Sequence, residues 1–493
     1  MTILITSTYR SRQEYSTTSP RNETSPSNAE TRRFLLRVVV VAFLLRLLVS
    51  LLFIGDLTDP HRGHWHFAYE TGRVARSLAL GHGFADPLWT QTGATSWLAP
   101  VYPILLGAIF RLFGIYSTAS AVVALGLNAL FSALTAIPLY LLSRKILGEQ
   151  TARYTAWVWT LFPFSVYLSA SWVWDTCLAT LLMTSLVWLT VELRETKGTL
   201  HWVTYGTLWG VVGLTNPVAL SVLPFLGGWL FWHHARSSLR GATRSLSLSA
   251  AMCVLVILPW IVRDFYVFHK LIPIKTIAWL EFAVGNLGSH RHWWNDQQHP
   301  SQNMAEFAEY KRLGELGYME SKKTSVVEFI KQNPGTFAWL SVRRFIYIWT
   351  GFWSARVEYL VDEPLDPVNV VLNLSITLTA VWGMWLAWCR RYTNIFPSIA
   401  TIVIVPAIYY FTHPLPSYRH PIDPQVVLFG TFAAWPVLAG EWERSTVRAL
   451  VAKLRTFVQD GDFRGTPALV DAPFREGDLT PALLPVKENE PRL

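Results

Sequence analysis

Residues 34–55 read "FLLRVVVVAFLLRLLVSLLFIG", and residues 66–84 follow as "HFAYETGRVARSLALGHGF". The first run is apolar apart from Arg37, Arg46 and one serine. It is long enough to cross a hydrocarbon core of about 30 Å as a helix, because each residue rises ~1.5 Å. The second stretch reads as a helix carrying Glu70, Arg73 and Arg76. A span that hands the chain straight to a charged helix points to work done at the membrane–water boundary.

The rest of the chain agrees with that class. It has 493 residues, 51% hydrophobic and only 15% charged, with 24 tryptophans. Apolar runs of span length recur, so the expected fold is all-α and polytopic. The net charge of +9 is no argument for nucleic acid. Lysine and arginine gather at the ends of the apolar runs, where they set orientation and meet anionic lipid. Cys177, Cys253 and Cys389 lie in or beside candidate spans without metal-ligand spacing and read as packing residues. Residues 1–33 have no apolar signal core and read as a disordered cytoplasmic segment. Residues 34–440 form the transmembrane module, and 441–493 read as a cytoplasmic amphipathic helix followed by a disordered tail.

Basic loops at 143–148, 194–198, 233–244 and 389–394 belong on the cytoplasmic side with both termini. Ten spans satisfy this, near 34–54, 119–142, 152–172, 176–193, 201–216, 217–232, 245–263, 368–388, 395–412 and 424–440. Residues 101–114 and 337–353 then become interfacial or re-entrant helices, the alternative being ordinary spans. Two large outer loops result, 55–118 and 264–367, rich in Trp, Tyr, His and charge.

Four polar features share that outer face: Glu70, Asp175, the pair Arg263–Asp264, and Arg419 with His420. Each has a plainer reading. Glu70 could pair with Arg73, Asp175 could cap the following span, and Arg263 could anchor at the interface. Arg419 stands outside against the positive-inside trend, in the stiff turn "PLPSYRHPIDP", and arginine has a planar fork suited to phosphate. The histidines of "HRGHWH" and His290, His292 and His299 match no recognised metal-ligand spacing.

The order of these motifs resembles the GT-C membrane glycosyltransferases that use polyprenyl-phosphate sugars, including protein O-mannosyltransferases and the lipid A aminoarabinose transferase. The resemblance runs through "YETGRVARSLALGHGF" (69–84), "WLAPVYPILLGAIFRLFG" (97–114) and "FPFSVYLSASWVWDTCL" (162–178). It continues in "LPWIVRDFYVFHKLIPIKTIAWLEFAVGN" (258–286) and "YRHPIDPQVVLFG" (418–430). It implies transfer of a sugar from a polyprenyl phosphate to an acceptor hydroxyl with inversion. Glu70 and Asp175 would be the catalytic carboxylates, with Glu70 the general base, and Arg419, Arg263 and His420 would bind the donor phosphate. The resemblance further implies a lipid, glycan or protein acceptor, contact with membrane lipids, and a bacterial inner-membrane location with the site facing outward. It requires no cofactor and leaves room for a divalent cation.

There are departures. Glu70 stands where Asp is commoner, Thr71 interrupts the acidic pair, Asp264 stands where Asn is usual, and Leu98-Ala99-Pro100 replaces Lys-Pro-Pro. Asp56 and Asp59 lie nearer the first span and remain alternative bases. A transporter, with ionisable or broken helices at mid-membrane, is the main rival class. A lipid-binding scaffold is the third.

Overall fold

The computed structural model describes residues 27–59, 64, 66–196, 198–288 and 292–438. The expected disorder of residues 1–26, the tail helix from 441, and His61 and His290 lie outside these. The described residues belong to one compact unit.

The α-helices follow in order. They begin with α1 Asn28–Ser50, α2 Ile54–Thr58, α3 Tyr69–Ala79 and α4 Val101–Phe113. Next come α5 Thr118–Leu134, α6 Ala136–Leu147, α7 Glu149–Leu161, α8 Pro163–Ser171 and α9 Thr176–Leu193. The middle of the chain forms α10 Thr199–Thr215, α11 Leu223–Ala235, α12 Leu239–Phe268, α13 Ala278–Asn286 and α14 Met304–Gln332. The last are α15 Pro334–Thr350, α16 Val357–Asp362, α17 Asp366–Cys389, α18 Phe396–Ile404, α19 Pro416–Arg419 and α20 Asp423–Leu438. The chain is an all-α polytopic membrane protein. Its one β pairing among the described residues is an isolated bridge between Ala85 and Ala94.

The first helix starts at Asn28, before the expected Phe34, because Ser27 and Glu30 make a reciprocal capping box. Residues 27–33 are therefore ordered. Among the described residues, four segments are long and apolar enough to cross a membrane unaided: Thr118–Leu147, Thr176–Leu193, Leu239–Phe268 and Asp366–Cys389. The first expected span is the 23-residue α1, which carries Arg32, Arg33, Arg37 and Arg46, and the other expected spans are shorter or broken at proline. The 152–172 run divides into α7 and α8 at Pro163, and the 217–232 run opens with a 3₁₀ turn, Pro217–Val222.

A broken helix needs new donors for its freed carbonyls, since lipid offers none. Arg46 provides them. Fully buried on α1, it donates to the Trp159 and Thr160 carbonyls (3.2 and 3.1 Å). It also donates to the Ser132 and Ser165 hydroxyls, each at 2.8 Å. Pro163 has no N–H for Trp159, and the arginine of the opening stretch replaces it.

The two outer loops fold into each other. Leu88 and Trp97 of the first share a buried cluster with Ile277, Leu280, Phe307 and Tyr310 of the second. A polar knot locks the same seam. Glu315 accepts from the Thr95 and Thr276 hydroxyls (2.5 and 2.6 Å) and from the Ser96 amide (3.0 Å). Gly314 breaks α14 at φ 69°, a left-handed value glycine adopts freely, and so turns Glu315 into the knot. The helix α4 packs on α3, and α13 on α14. The expected interfacial runs 101–114 and 337–353 are α4 and α15, and α15 exposes Trp339, Val342 and Phe345.

Candidate active site

A cavity of about 220 Å³ opens where the two outer loops meet the ends of several helices. Three carboxylates line it, Glu70, Asp175 and Glu281, and Lys275 is the one lysine or arginine among its described lining residues. Tyr69, Tyr102, Trp174, Trp294, Tyr409 and Tyr418 supply aromatic walls.

Glu70 sits in the first turn of α3, just after Ala68 (φ 66°) and Tyr69 (φ 36°). Left-handed backbone at a non-glycine residue costs about 1–2 kcal/mol, and such strain gathers at functional sites. Glu70 does not make the solvated pair with Arg73 that spacing allowed. Arg73 is buried instead, donating to the Ser301 hydroxyl (2.9 Å) with its guanidinium over the Tyr69 and Trp89 rings. The Glu70 carboxylate meets His299, with Oε1 3.2 Å from Nε2. Asp56 and Asp59 do not line the cavity.

Asp175 immediately precedes α9 but makes no side-chain cap there. The segment before it is drawn to the first outer loop by a backbone bond, the Val173 N–H donating to the His66 carbonyl (3.0 Å). Burial pushes the Asp175 carboxyl up to about 6, against the opposing pull of Lys275. Glu281 projects from α13 and lies 3.0 Å from His413 Nδ1. Burial pushes the Glu281 carboxyl up, but His413 and then Lys275 and His299 outweigh it and hold it below the usual range. The close fit of α13 depends on Gly285, whose Cβ would stand 2.1 Å from the Thr412 carbonyl oxygen. Lys275 is held by its neighbours: the Thr276 N–H donates to the Ser96 carbonyl (2.9 Å) and the Trp260 indole to the Ile274 carbonyl (2.7 Å).

The remaining sequence candidates are not brought to the cavity. Arg419 is buried and donates to Asp423 (2.8 Å), Asn373 (2.5 Å) and the Ile348 carbonyl (3.2 Å). Its fork is thus engaged by a carboxylate one helical turn on. His420 lies 3.1 Å from the other oxygen of Asp423 and stacks on Trp159. Arg263 donates to Asp264 and the Thr95 carbonyl (both 2.7 Å) and to the Phe84 carbonyl (2.9 Å), so it braces the polar knot. Among the described residues no three His, Cys, Asp or Glu side chains come together as a metal site.

Sequence reasoning missed Lys275, Glu281 and the partnership of His299. Glu281 had a legible signal, a lone acid within the apolar run "TIAWLEFAVG". Lys275 and His299 had none.

Residues 98–262 match the family described as dolichyl-phosphate-mannose-protein mannosyltransferase. The chain is similar to the GT-C membrane glycosyltransferases, and over this third of its length the similarity is to the protein mannosyltransferases. No curated protein sequence matches it. Among solved structures, the apo oligosaccharyltransferase of Archaeoglobus fulgidus is 13% identical, with a TM-score of 0.49. The match covers 87% of this chain and 53% of that one. The same enzyme with an inhibitory peptide and a dolichol-phosphate is 13% identical, with a TM-score of 0.48, covering 85% and 52%. ArnT from Cupriavidus metallidurans bound to undecaprenyl phosphate is 12% identical, with a TM-score of 0.35, covering 83% and 78%. The chain thus spans about half the length of the oligosaccharyltransferases it matches.

Proposed function

We propose that this protein transfers a sugar from a polyprenyl-phosphate donor to an acceptor hydroxyl, with inversion, at the outer face of a bacterial inner membrane. The observation that carries the reading is Glu70 on a strained turn, lining an aromatic-walled cavity beside Asp175 and Glu281. The acceptor oxygen attacks the anomeric carbon as the bond from that carbon to the phosphate oxygen breaks. The acceptor proton passes to Glu70, and the phosphate leaves with the bonding electrons. A carboxylate within hydrogen-bond reach of the hydroxyl is the group this step needs. The transition state has oxocarbenium character, as in inverting glycoside hydrolysis.

Charge that grows on the leaving phosphate is stabilised by a cation fixed in advance. Lys275, which lines the cavity, takes this part in place of Arg419 and Arg263. Asp175 and Glu281 accept hydroxyls of the sugar or acceptor, and the aromatic walls cover its apolar faces. No step is routed through a metal ion.

The test is Glu70→Gln, which keeps shape but cannot take a proton. It should bind the polyprenyl-phosphate sugar and lose on the order of 10²–10⁴-fold in turnover. Glu70→Asp should keep part of the activity. Transfer by Glu70→Gln at the wild-type rate would make the carboxylate structural. A wild-type protein that transfers no sugar but carries a solute across the bilayer would replace the reading with transport.

A further inference from the structure

His299 comes from the second outer loop, is 1% exposed and lines the cavity. Its two ring nitrogens have different partners. Nδ1 faces the Ser301 backbone N–H at 3.1 Å, and a backbone N–H can only donate. Nδ1 is therefore the acceptor, and the ring proton of the neutral imidazole must stand on Nε2. That nitrogen lies 3.2 Å from Glu70 Oε1. The backbone of one turn thus sets the tautomer that presents a donor to the proposed base.

The turn itself is tied down from α3 and the segment that follows it. The Ser301 hydroxyl accepts from Arg73 (2.9 Å), and the Ser301 carbonyl accepts from the Trp89 indole (2.8 Å). Gln302 donates to the Tyr69 hydroxyl at 2.6 Å. Tyr69, Glu70 and Arg73, all in the first turn or so of α3, are each met by a residue of 299–302. The rings of Trp97 and Trp294 close on the imidazole from two further elements, with centroids 6.2 and 5.2 Å away.

We infer that His299 is a positioning residue that holds the Glu70 carboxylate for proton abstraction by setting its Nε2–H 3.2 Å from the otherwise unpartnered Oε1, which leaves Oε2 to receive the acceptor proton. The inference rests on the reading of Glu70 as general base. The imidazole N–H faces the carboxylate across 3.2 Å in a buried site. It also fixes the side-chain rotamer, and a base misplaced by about 1 Å can cost on the order of 100-fold in rate.

Two substitutions separate this role from simple bracing of the turn. His299→Asn places an acceptor near the position of Nδ1, so it preserves the Ser301 contact and loses the donor to Glu70. His299→Gln places an amide N–H near the position of Nε2, so it preserves the donor and loses the Ser301 contact. With both variants checked for folding by thermal melting, His299→Gln should stay within about tenfold of wild-type turnover. His299→Asn should fall by about 100-fold with KM nearly unchanged. Bracing alone predicts the reverse order, and turnover in His299→Asn equal to or above that in His299→Gln overturns the inference.

A second measurement does not depend on transfer. In ¹⁵N-histidine spectra of the full chain in bilayers, the resonances lost in His299→Asn should show a protonated Nε2 and a bare Nδ1. A protonated Nδ1 in the neutral ring overturns the inference while leaving the glycosyltransferase reading intact. Wild-type turnover by Glu70→Gln instead sinks the base assignment, whatever the tautomer.

Discussion

Asp175 shows how one side chain can carry stability and activity in opposite directions. Burial raises its carboxyl from an ordinary 3.8 to about 6, so the folded state binds the proton more tightly than the unfolded chain does. The sign follows from linkage: stability falls as pH rises between those two values and stays reduced above about 6. Asp175→Asn removes that penalty. Its melting temperature should exceed the wild type's at pH 7.5, and the difference should vanish near pH 4. If the ionised carboxylate binds sugar or acceptor, wild-type activity should also show an acid limb centred near pH 6. The asparagine variant should lack that limb and be weaker above it. An unchanged pH profile in Asp175→Asn would remove the carboxylate from the reaction.

Arg419 illustrates the opposite lesson. A planar cation in a stiff, proline-rich turn is chemically fit for phosphate, and nothing local in the sequence excludes it. Asp423, one turn later, was visible as a possible partner, and in the folded chain the two are buried together. An arginine and an aspartate taken out of water together must satisfy each other. Asn373 and the Ile348 carbonyl complete the arginine's coordination.

Among the helices, α13 is the one whose placement matters most to the cavity. It carries Glu281 on one side and Gly285 one turn later, and Gly285 presses on the Thr412 carbonyl. Backbone cannot retreat as a flexible side chain can. Gly285→Ala should therefore push α13 away from Thr412 and part Glu281 from His413. The expected result is a loss of about 1–3 kcal/mol in stability and a fall in turnover greater than tenfold. Gly228→Ala in α11 is the control, since a Cβ there meets nothing within 4 Å. It should be neutral or slightly stabilising, because alanine favours helix by up to about 1 kcal/mol. Equal stability and turnover in the two variants, by thermal melting and transfer assay, would show that the close approach is not needed.

For the molecule as a whole, the proposal requires one sidedness. On a cysteine-free background, single cysteines at the exposed positions Gly81 and Met304 should react with an impermeant maleimide from outside. Cysteines at the exposed Arg144 and Arg240 should react only from the cytoplasm. Labelling at Arg144 from outside would break the ten-span arrangement, and the cavity would lose its assigned face.

Much of this protein is legible in one dimension. An apolar run long enough for the bilayer must be helical, because lipid cannot satisfy exposed backbone, and basic loops then order the runs across it. The all-α, membrane-spanning character of the chain follows from that constraint, and Glu70 and Asp175, both read as polar groups outside the spans, do line one cavity. The ends and breaks of the helices already needed more: Ser27 begins α1 early, and Arg46 makes the Pro163 break tolerable. The cavity's chemistry was decided only in three dimensions. Glu70 meets His299, Glu281 meets His413, and Lys275 rather than Arg419 faces the open space. Spacing within a helix or loop reports which neighbours a residue could have. Which partner it takes depends on which groups lose water together when the two outer loops close, and that is a property of the packed structure.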